Sequence, residues 1–158
     1  MASFEERIYQ LGADSLSKQE RQVAEVRTRG STLLAAGAVI ASLLAKPAFS
    51  GGHPSGAWQT LAAILGLVGA GGLLVCVVLL LRPYALGFSV NPQATYRALW
   101  EQEILEQPMV DLALADAFEE RWEKNKRTVG RLVWLLGLAL AALVLETAGL
   151  AAAAALAS

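Results

Sequence analysis

Residues 132–156 read LVWLLGLALAALVLETAGLAAAAAL, a stretch in which Glu146 is the only charged residue. The hydrocarbon core of a bilayer is about 30 Å thick, and an α-helix crosses it with about 20 apolar residues at about 1.5 Å per residue. This stretch is therefore long and apolar enough to span a membrane. A single carboxylate inside such a helix is costly, and it usually marks a functional position.

Two earlier stretches have the same character: STLLAAGAVIASLLAKPAF at 31–49 and AWQTLAAILGLVGAGGLLVCVVLLL at 57–81. Between Ser31 and Leu81 the only charge is Lys46. The chain of 158 residues is 55% hydrophobic and 17% charged, with a mean hydropathy of +0.46, which is too apolar for an ordinary soluble domain. We therefore predict an all-α integral membrane protein with three transmembrane helices and helical cytoplasmic extensions, assembled as an oligomeric bundle.

The charged residues outside these stretches define the predicted organisation. Segment 1–30 forms cytoplasmic N-terminal helices, 31–49 is the first span and 57–81 the second, 82–131 is a cytoplasmic helical segment, and 132–156 is the third span. Lys and Arg are concentrated before the first span and between the second and third, which favours a cytoplasmic N-terminus and an external C-terminus. A polar segment precedes the first span, so we do not interpret that span as a cleavable signal peptide.

The cytoplasmic segments have helical patterns of their own. FEERIYQL at 4–11 is amphipathic, and we expect GADS at 12–15 to interrupt it. A second helix is predicted to begin near Ser17 and to continue without a break through the first span. Farther along, Asn91 and Pro92 are typical of a helix start for residues 93–107, and Pro108 marks a break or a new start.

The sequence contains no catalytic motif that we recognise. It has no phosphate-binding loop, nucleophile elbow or zinc-protease motif. Cys76 and His53 are the only cysteine and histidine, so a disulfide within one chain is impossible and a metal site is not expected. We therefore predict a protein that is not an enzyme and has no cofactor.

Two basic clusters are candidate ligand-binding residues. Arg27 and Arg29 precede the first span, and Lys126 and Arg127 precede the third. One interpretation is that these residues anchor the spans at the lipid headgroups. The alternative is a phosphate-bearing ligand, because guanidinium groups bind phosphate with two hydrogen bonds.

The spans contain two further features. Gly66, Gly69 and Ala70 are spaced as in close helix–helix contacts, and the alternative is a hinge or a pore constriction. Lys46 lies 17 residues beyond Arg29, and Glu146 lies 15 beyond Arg131, which gives depths of roughly 25 and 22 Å. We predict that these two opposite charges form an intramembrane pair, within one subunit or between neighbours. The alternatives are that Lys46 extends to the headgroups, or that Glu146 faces a pore alone.

At residues 19–44, QERQVAEVRTRGSTLLAAGAVIASLL, and in the layout of most of the chain, the sequence resembles the SLATT-type bacterial membrane effectors and the related effectors of Pycsar-like defence systems. The resemblance extends to an Asn-Lys pair in the cytoplasmic segment, here Asn125 and Lys126, whereas a third span with a carboxylate departs from the two-span pattern. It implies a homo-oligomeric pore in the bacterial inner membrane that acts in anti-phage immunity. It also implies control by a nucleotide or oligonucleotide signal from a partner nucleotidyltransferase or cyclase.

Two other classes of function stay open. One is a structural or accessory membrane subunit of a plasmid-transfer or assembly system, and the other is a small transporter. Familiar transporters have more spans and internal repeats, and this chain shows no repeat. We expect several copies to assemble in the bilayer, with a tetramer as the first candidate, because three spans alone cannot enclose a pore.

Overall fold

The computed structural model describes residues 4–49, 56–84, 86–87 and 106–157, and in these ranges it contains three α-helices and no strand. They are α1 at Phe4–Phe49, α2 at Ala57–Leu81 and α3 at Gln107–Ala157. Each contains a segment that is long and apolar enough to cross a membrane. This confirms the predicted all-α class with three candidate spans. Residues 93–105 of the helix predicted over 93–107, its predicted start at Asn91 and the turn residues 50–55 with His53 lie outside the described residues.

The first helix is longer than predicted. α1 runs for 46 residues without a break, so the predicted interruption at 12–15 is wrong. Gly12 has a packing role, because a Cβ atom on it would lie only 3.1 Å from Cβ of Phe118. The Ser15 hydroxyl donates to the Leu11 carbonyl at 2.8 Å, a bond within the helix that satisfies this polar side chain.

The third helix begins where the proline pattern predicts. Pro108 is the second residue of α3, a position near the helix start where its missing N–H costs no hydrogen bond. From there α3 continues for 51 residues, through the predicted boundary between the cytoplasmic segment and the third span. One long helix therefore joins the polar and apolar parts of the chain.

The contacts divide the chain into two compact units. The polar unit comprises Met1–Ala24 and Tyr84–Arg131, and the span unit comprises Glu25–Pro83 and Leu132–Ser158. Their composition differs as the charge distribution suggests, because the polar unit contains most of the charged residues and the span unit contains the three apolar segments.

In the polar unit, side-chain amides bond to backbone groups of distant segments. The Asn125 amide forms two hydrogen bonds with Gly87: its Oδ1 accepts from the Gly87 N–H at 3.3 Å, and its Nδ2 donates to the Gly87 carbonyl at 3.1 Å. Gln19 donates to the Trp122 carbonyl at 3.3 Å. The rings of Tyr9 and Phe118 pack with centroids 5.5 Å apart. These contacts attach the first turns of α1 and the segment around Gly87 to α3.

In the span unit, α2 is antiparallel to α1. A Cβ on Gly30 would meet Leu80, one on Gly37 would meet Leu73, and Ala48 packs with Ala62 and Ala63. Residue numbers therefore fall along α2 as they rise along α1. Leu73 and Val77 are buried with Ala139 of α3, and together they form the apolar centre of the three helices.

The backbones of α2 and α3 approach each other closely in the span unit. A Cβ on Gly69 would lie 2.7 Å from Cα of Glu146, and one on Gly149 would lie 2.7 Å from Cα of Gly66. Such distances are possible only without side chains, as at the small-residue contacts of membrane helices. We refer to Gly66, Gly69, Glu146 and Gly149 as the glycine crossing. It contains two of the three residues proposed from sequence as a contact surface, while Ala70 is only half-buried.

Substituting glycines of α2 tests this contact. Gly69→Ala should lower the free energy of unfolding by about 1–3 kcal/mol, because the new methyl group meets backbone that has little room to move. Gly71→Ala is the matched control, since a Cβ there meets nothing within 4 Å. Unfolding can be followed by circular dichroism while SDS is titrated into detergent micelles. Equal stability of the two variants would contradict the crossing.

Candidate functional site

Glu146 is the most unusual polar residue of the span unit. Its side chain is 1% exposed, and its Oε2 atom is buried without a hydrogen-bond partner. A Cβ on Gly37 of α1 would lie 3.0 Å from this oxygen. The glycine therefore provides the space that the carboxyl group occupies, between α1 and the glycine crossing.

The contacts also fix the depth of Glu146. Its backbone packs against Gly69, which is the thirteenth of the 25 residues of α2. Twelve residues of α2 lie on either side of Gly69, or roughly 18 Å of helix in each direction. Glu146 is therefore level with the middle of the second candidate span.

Lys46 lies at a different level and on a different surface. Glu146 is beside Gly37, which is nine residues before Lys46 along α1, or roughly 13 Å of helix. The Lys46 side chain is exposed, whereas Glu146 is buried. Lys46 and Glu146 therefore do not lie at equal depths as predicted. Within one chain the structure does not bring the two side chains together. Pairing between neighbouring copies stays a prediction.

Arg27 interacts with the end of α2. Its Nη2 atom donates to the Arg82 carbonyl at 3.3 Å, and Arg82 is the residue that caps the C-terminus of α2. A cation at this position also interacts favourably with the negative end of the helix dipole. Its Nε atom is buried without a partner. Part of this guanidinium group is thus committed to the fold, which the sequence did not indicate.

Arg29 lies on another side of α1, because residues two apart on a helix do not face the same way. Its side chain is 65% exposed and forms an ion pair at 2.5 Å with Glu25 of the same helix. It also borders a groove of about 510 Å³ between α1 and α3. The groove has hydroxyl groups beside Arg29 and an apolar wall; its lining includes Thr28, Thr32, Val133, Leu136 and Leu140.

Lys126 and Arg127 belong to the polar unit, whereas Arg27 and Arg29 belong to the span unit. Lys126 forms an ion pair with Glu123 at 3.2 Å, and its ammonium lies 4.6 Å from the centre of the Trp122 ring. Arg127 is exposed. Both side chains are on an accessible helix face, as the headgroup-anchor and the phosphate-binding interpretations each require.

Sequence reasoning identified Glu146 but missed Gly37, which makes room for it. Gly37 is a single glycine in an alanine-rich stretch, and nothing in the local pattern distinguishes it from the exposed Gly71 or Gly137. Among the described residues, no group of three or more His, Cys, Asp or Glu could hold a metal ion. Comparison of the chain with protein-family models, curated proteins and solved structures finds no match.

The two arginines that precede the first span should differ in their contribution to stability. Arg27→Gln should lower the free energy of unfolding by about 1 kcal/mol, because it removes a cation from the end of α2 and its shorter side chain does not reach the Arg82 carbonyl in the same way. Arg29→Gln should change it by less than about 0.5 kcal/mol, because exposed ion pairs contribute little. The SDS titration measures both. A larger effect of Arg29→Gln would contradict the assigned roles.

Proposed function

We propose that this protein is a membrane effector of a bacterial anti-phage defence system that acts as a homo-oligomeric pore. The pore part of the proposal is carried by one observation, a row of small and polar side chains along the exposed part of α1. The defence role and the control by a nucleotide or oligonucleotide signal rest on the sequence resemblance at 19–44.

The exposed face of α1 carries a row of small and polar side chains. Its members recur every three or four residues, which places them along one side of the helix, and all are exposed: Ser31, Ala35, Ala38, Ser42 and Lys46. The two hydroxyl groups donate to carbonyls of their own helix, Ser31 at 2.8 Å and Ser42 at 2.7 Å. Their oxygens can still accept hydrogen bonds from water. We refer to these residues as the polar row.

In its span α1 also exposes Val39 and Leu43, but large apolar side chains are more numerous on the outer surfaces of the other two spans. Along α2 the exposed side chains are mostly large and apolar, for example Leu61, Ile64, Leu67, Val68, Leu74, Val75 and Val78. Along the apolar part of α3 they include Val133, Trp134, Leu140 and Val144. Such surfaces suit contact with lipid. The polar row is better suited to water or to close contact between subunits, where small residues let helices approach.

A pore of this kind requires several copies. The contact of α2 with α3 at the glycine crossing and the apolar centre around Leu73 close the middle of the three described helices with tightly packed residues. We propose that the copies meet with the polar row toward a shared lumen, and that the first assembly to test is a tetramer. Native mass spectrometry from mild detergent gives the number of copies, and monomer alone would contradict this assembly.

The proposed signal is a phosphate-bearing molecule. Arg29, Lys126 and Arg127 are the residues best placed to bind it, because their side chains are exposed, whereas Arg27 is partly used at the end of α2. Binding through such contacts should weaken as salt increases. Flux from liposomes that contain the purified protein, with and without cyclic nucleotides or short oligonucleotides, tests this control. Arg29→Gln and Lys126→Gln with Arg127→Gln are the variants to compare.

Lys46 should set the ion preference of the pore. In a planar bilayer with a KCl gradient, the wild-type protein should prefer anions, because the ammonium group lies at the end of the polar row. Lys46→Glu should shift the reversal potential toward that of a cation-preferring pore. Lys46→Arg is the matched control, since it keeps the charge, and it should behave as the wild type.

Two results would count against the pore. If the assembled protein conducts no ions with any of the nucleotides tested, an accessory membrane subunit becomes the better interpretation. If the protein conducts but Lys46→Glu leaves the reversal potential unchanged, the polar row does not line the path.

A further inference from the structure

We propose that Glu146 is a proton-binding site in the middle of the membrane, which holds its proton as a neutral carboxylic acid while the three spans pack around it. The proposal does not depend on the pore, because it concerns the interior of one chain. It follows from the position of the carboxyl group, from the lack of a counter-charge near it among the described residues and from the cost of an unpaired charge in an apolar layer.

The carboxyl group lies in the packed interior of the three helices, and its Oε2 atom is fully buried. It is 1% exposed, it lies beside Gly37 of α1, and its backbone packs against Gly69 at the middle of α2. The neighbouring side chains are apolar, since Leu73 and Leu143 are the other groups nearest to Gly37 at this level. A long side chain near the end of a span can extend to the interface, but a buried group at mid-span has no such route.

The charged groups on all three helices are far from Glu146. On α1 the nearest are Arg29 and Lys46, eight residues before and nine residues after Gly37, or roughly 12 and 13 Å of helix. α2 has no charged residue between Ala57 and Leu81. On α3 the nearest is Arg131, 15 residues before Glu146, or roughly 22 Å.

The other groups able to titrate or donate are equally remote or already used. Cys76 of α2 is seven residues from Gly69, or roughly 10 Å of helix, and packs with the apolar centre. The Thr147 hydroxyl donates to the Leu143 carbonyl at 2.8 Å. Within the described part of the chain, Oε2 of Glu146 therefore has neither a cation nor a hydrogen-bond donor to stabilise a negative charge.

These surroundings favour the acid form. Transferring an unpaired carboxylate into an apolar medium costs so much that the group takes up a proton instead. A proton is also the ligand that a single carboxyl group can hold. Metal ions need several donor atoms, and no group of three or more His, Cys, Asp or Glu in the described residues could supply them.

Proton binding is thereby linked to the packing of the spans. The carboxyl group lies at the glycine crossing, where the backbones of α2 and α3 touch and Gly37 leaves room for a neutral group. Loss of the proton would place a bare charge at this contact. Separation of the helices would admit water to the charge, so the ionised form favours a loosened bundle and the protonated form favours the packed one.

The pH dependence of unfolding tests the proposal on the full-length protein. In SDS-unfolded protein the carboxyl group meets water. It is then ionised between pH 6 and 8, because this pH range lies well above its ordinary pKa of about 4.3. If the folded protein keeps the proton, the unfolding equilibrium constant of the wild type should rise tenfold per pH unit between pH 6 and 8, relative to Glu146→Gln. The amide of the variant has the shape of the neutral acid and does not titrate.

Glu120→Gln is the matched control, because Glu120 is exposed on α3 and its hydrogen bond and charge interaction with Lys124 lower the pKa of its carboxyl group. This group is ionised in both states between pH 6 and 8, so the control should keep the pH dependence of the wild type. The same pH dependence in the wild type and in Glu146→Gln would overturn the proposal.

A second measurement decides the question if Glu146→Gln does not fold. Dicyclohexylcarbodiimide enters the apolar layer and reacts with protonated carboxylic acids. The acid proton passes to one nitrogen of the reagent while the carboxyl oxygen bonds to its central carbon, and the adduct rearranges to a stable N-acylurea. Mass spectrometry of the wild type at pH 8 should then find the adduct on Glu146 and none on Glu120. No adduct on Glu146 would overturn the proposal.

Discussion

The backbone contact between α2 and α3 at the glycine crossing determines much of the span unit. Helices in a bilayer gain little from the hydrophobic effect when they associate, so close packing and polar contacts must hold them together. Gly66, Gly69 and Gly149 allow two backbones to approach to a distance that any side chain would prevent. This contact fixes the axial offset of the two helices, and the level of the α3 side chains within the span unit follows from that offset.

The position of Glu146 is the clearest consequence. It belongs to the crossing itself, because its backbone packs on Gly69 of α2. Its side chain extends from there toward α1. α1 accommodates it with Gly37, where even a methyl group would lie 3.0 Å from the carboxyl oxygen. The same spacing that brings the helices together thus places a carboxyl group at mid-span. A polar group there must be hydrogen-bonded, neutral or both.

The sequence predicts the three apolar segments well, because their length and hydropathy depend only on composition. The predicted bounds of 57–81 coincide with those of α2. The offset between helices could not be predicted in the same way, since hydropathy is nearly uniform along each span. Depths counted from Arg29 and Arg131 assumed that both arginines lie at the same level, and the contact of Glu146 with Gly37 shows that this assumption fails. The local pattern at 12–15 suggests a break, but it does not reveal that Gly12 packs against Phe118, which is distant in sequence.

The two isolated charged residues of the spans, Lys46 and Glu146, differ in how the cost of a charge in an apolar layer can be avoided. Lys46 has a long flexible stem on an exposed helix face, so its ammonium group can remain charged if it reaches headgroups, water in a lumen or a neighbouring subunit. Glu146 has a short side chain in the packed interior, where none of these is within reach, so only a change of its own protonation removes the cost of the charge. An external stimulus can therefore act on the two residues by different routes. Salt can screen the exposed lysine, whereas only separation of the helices would bring water to the buried carboxyl group.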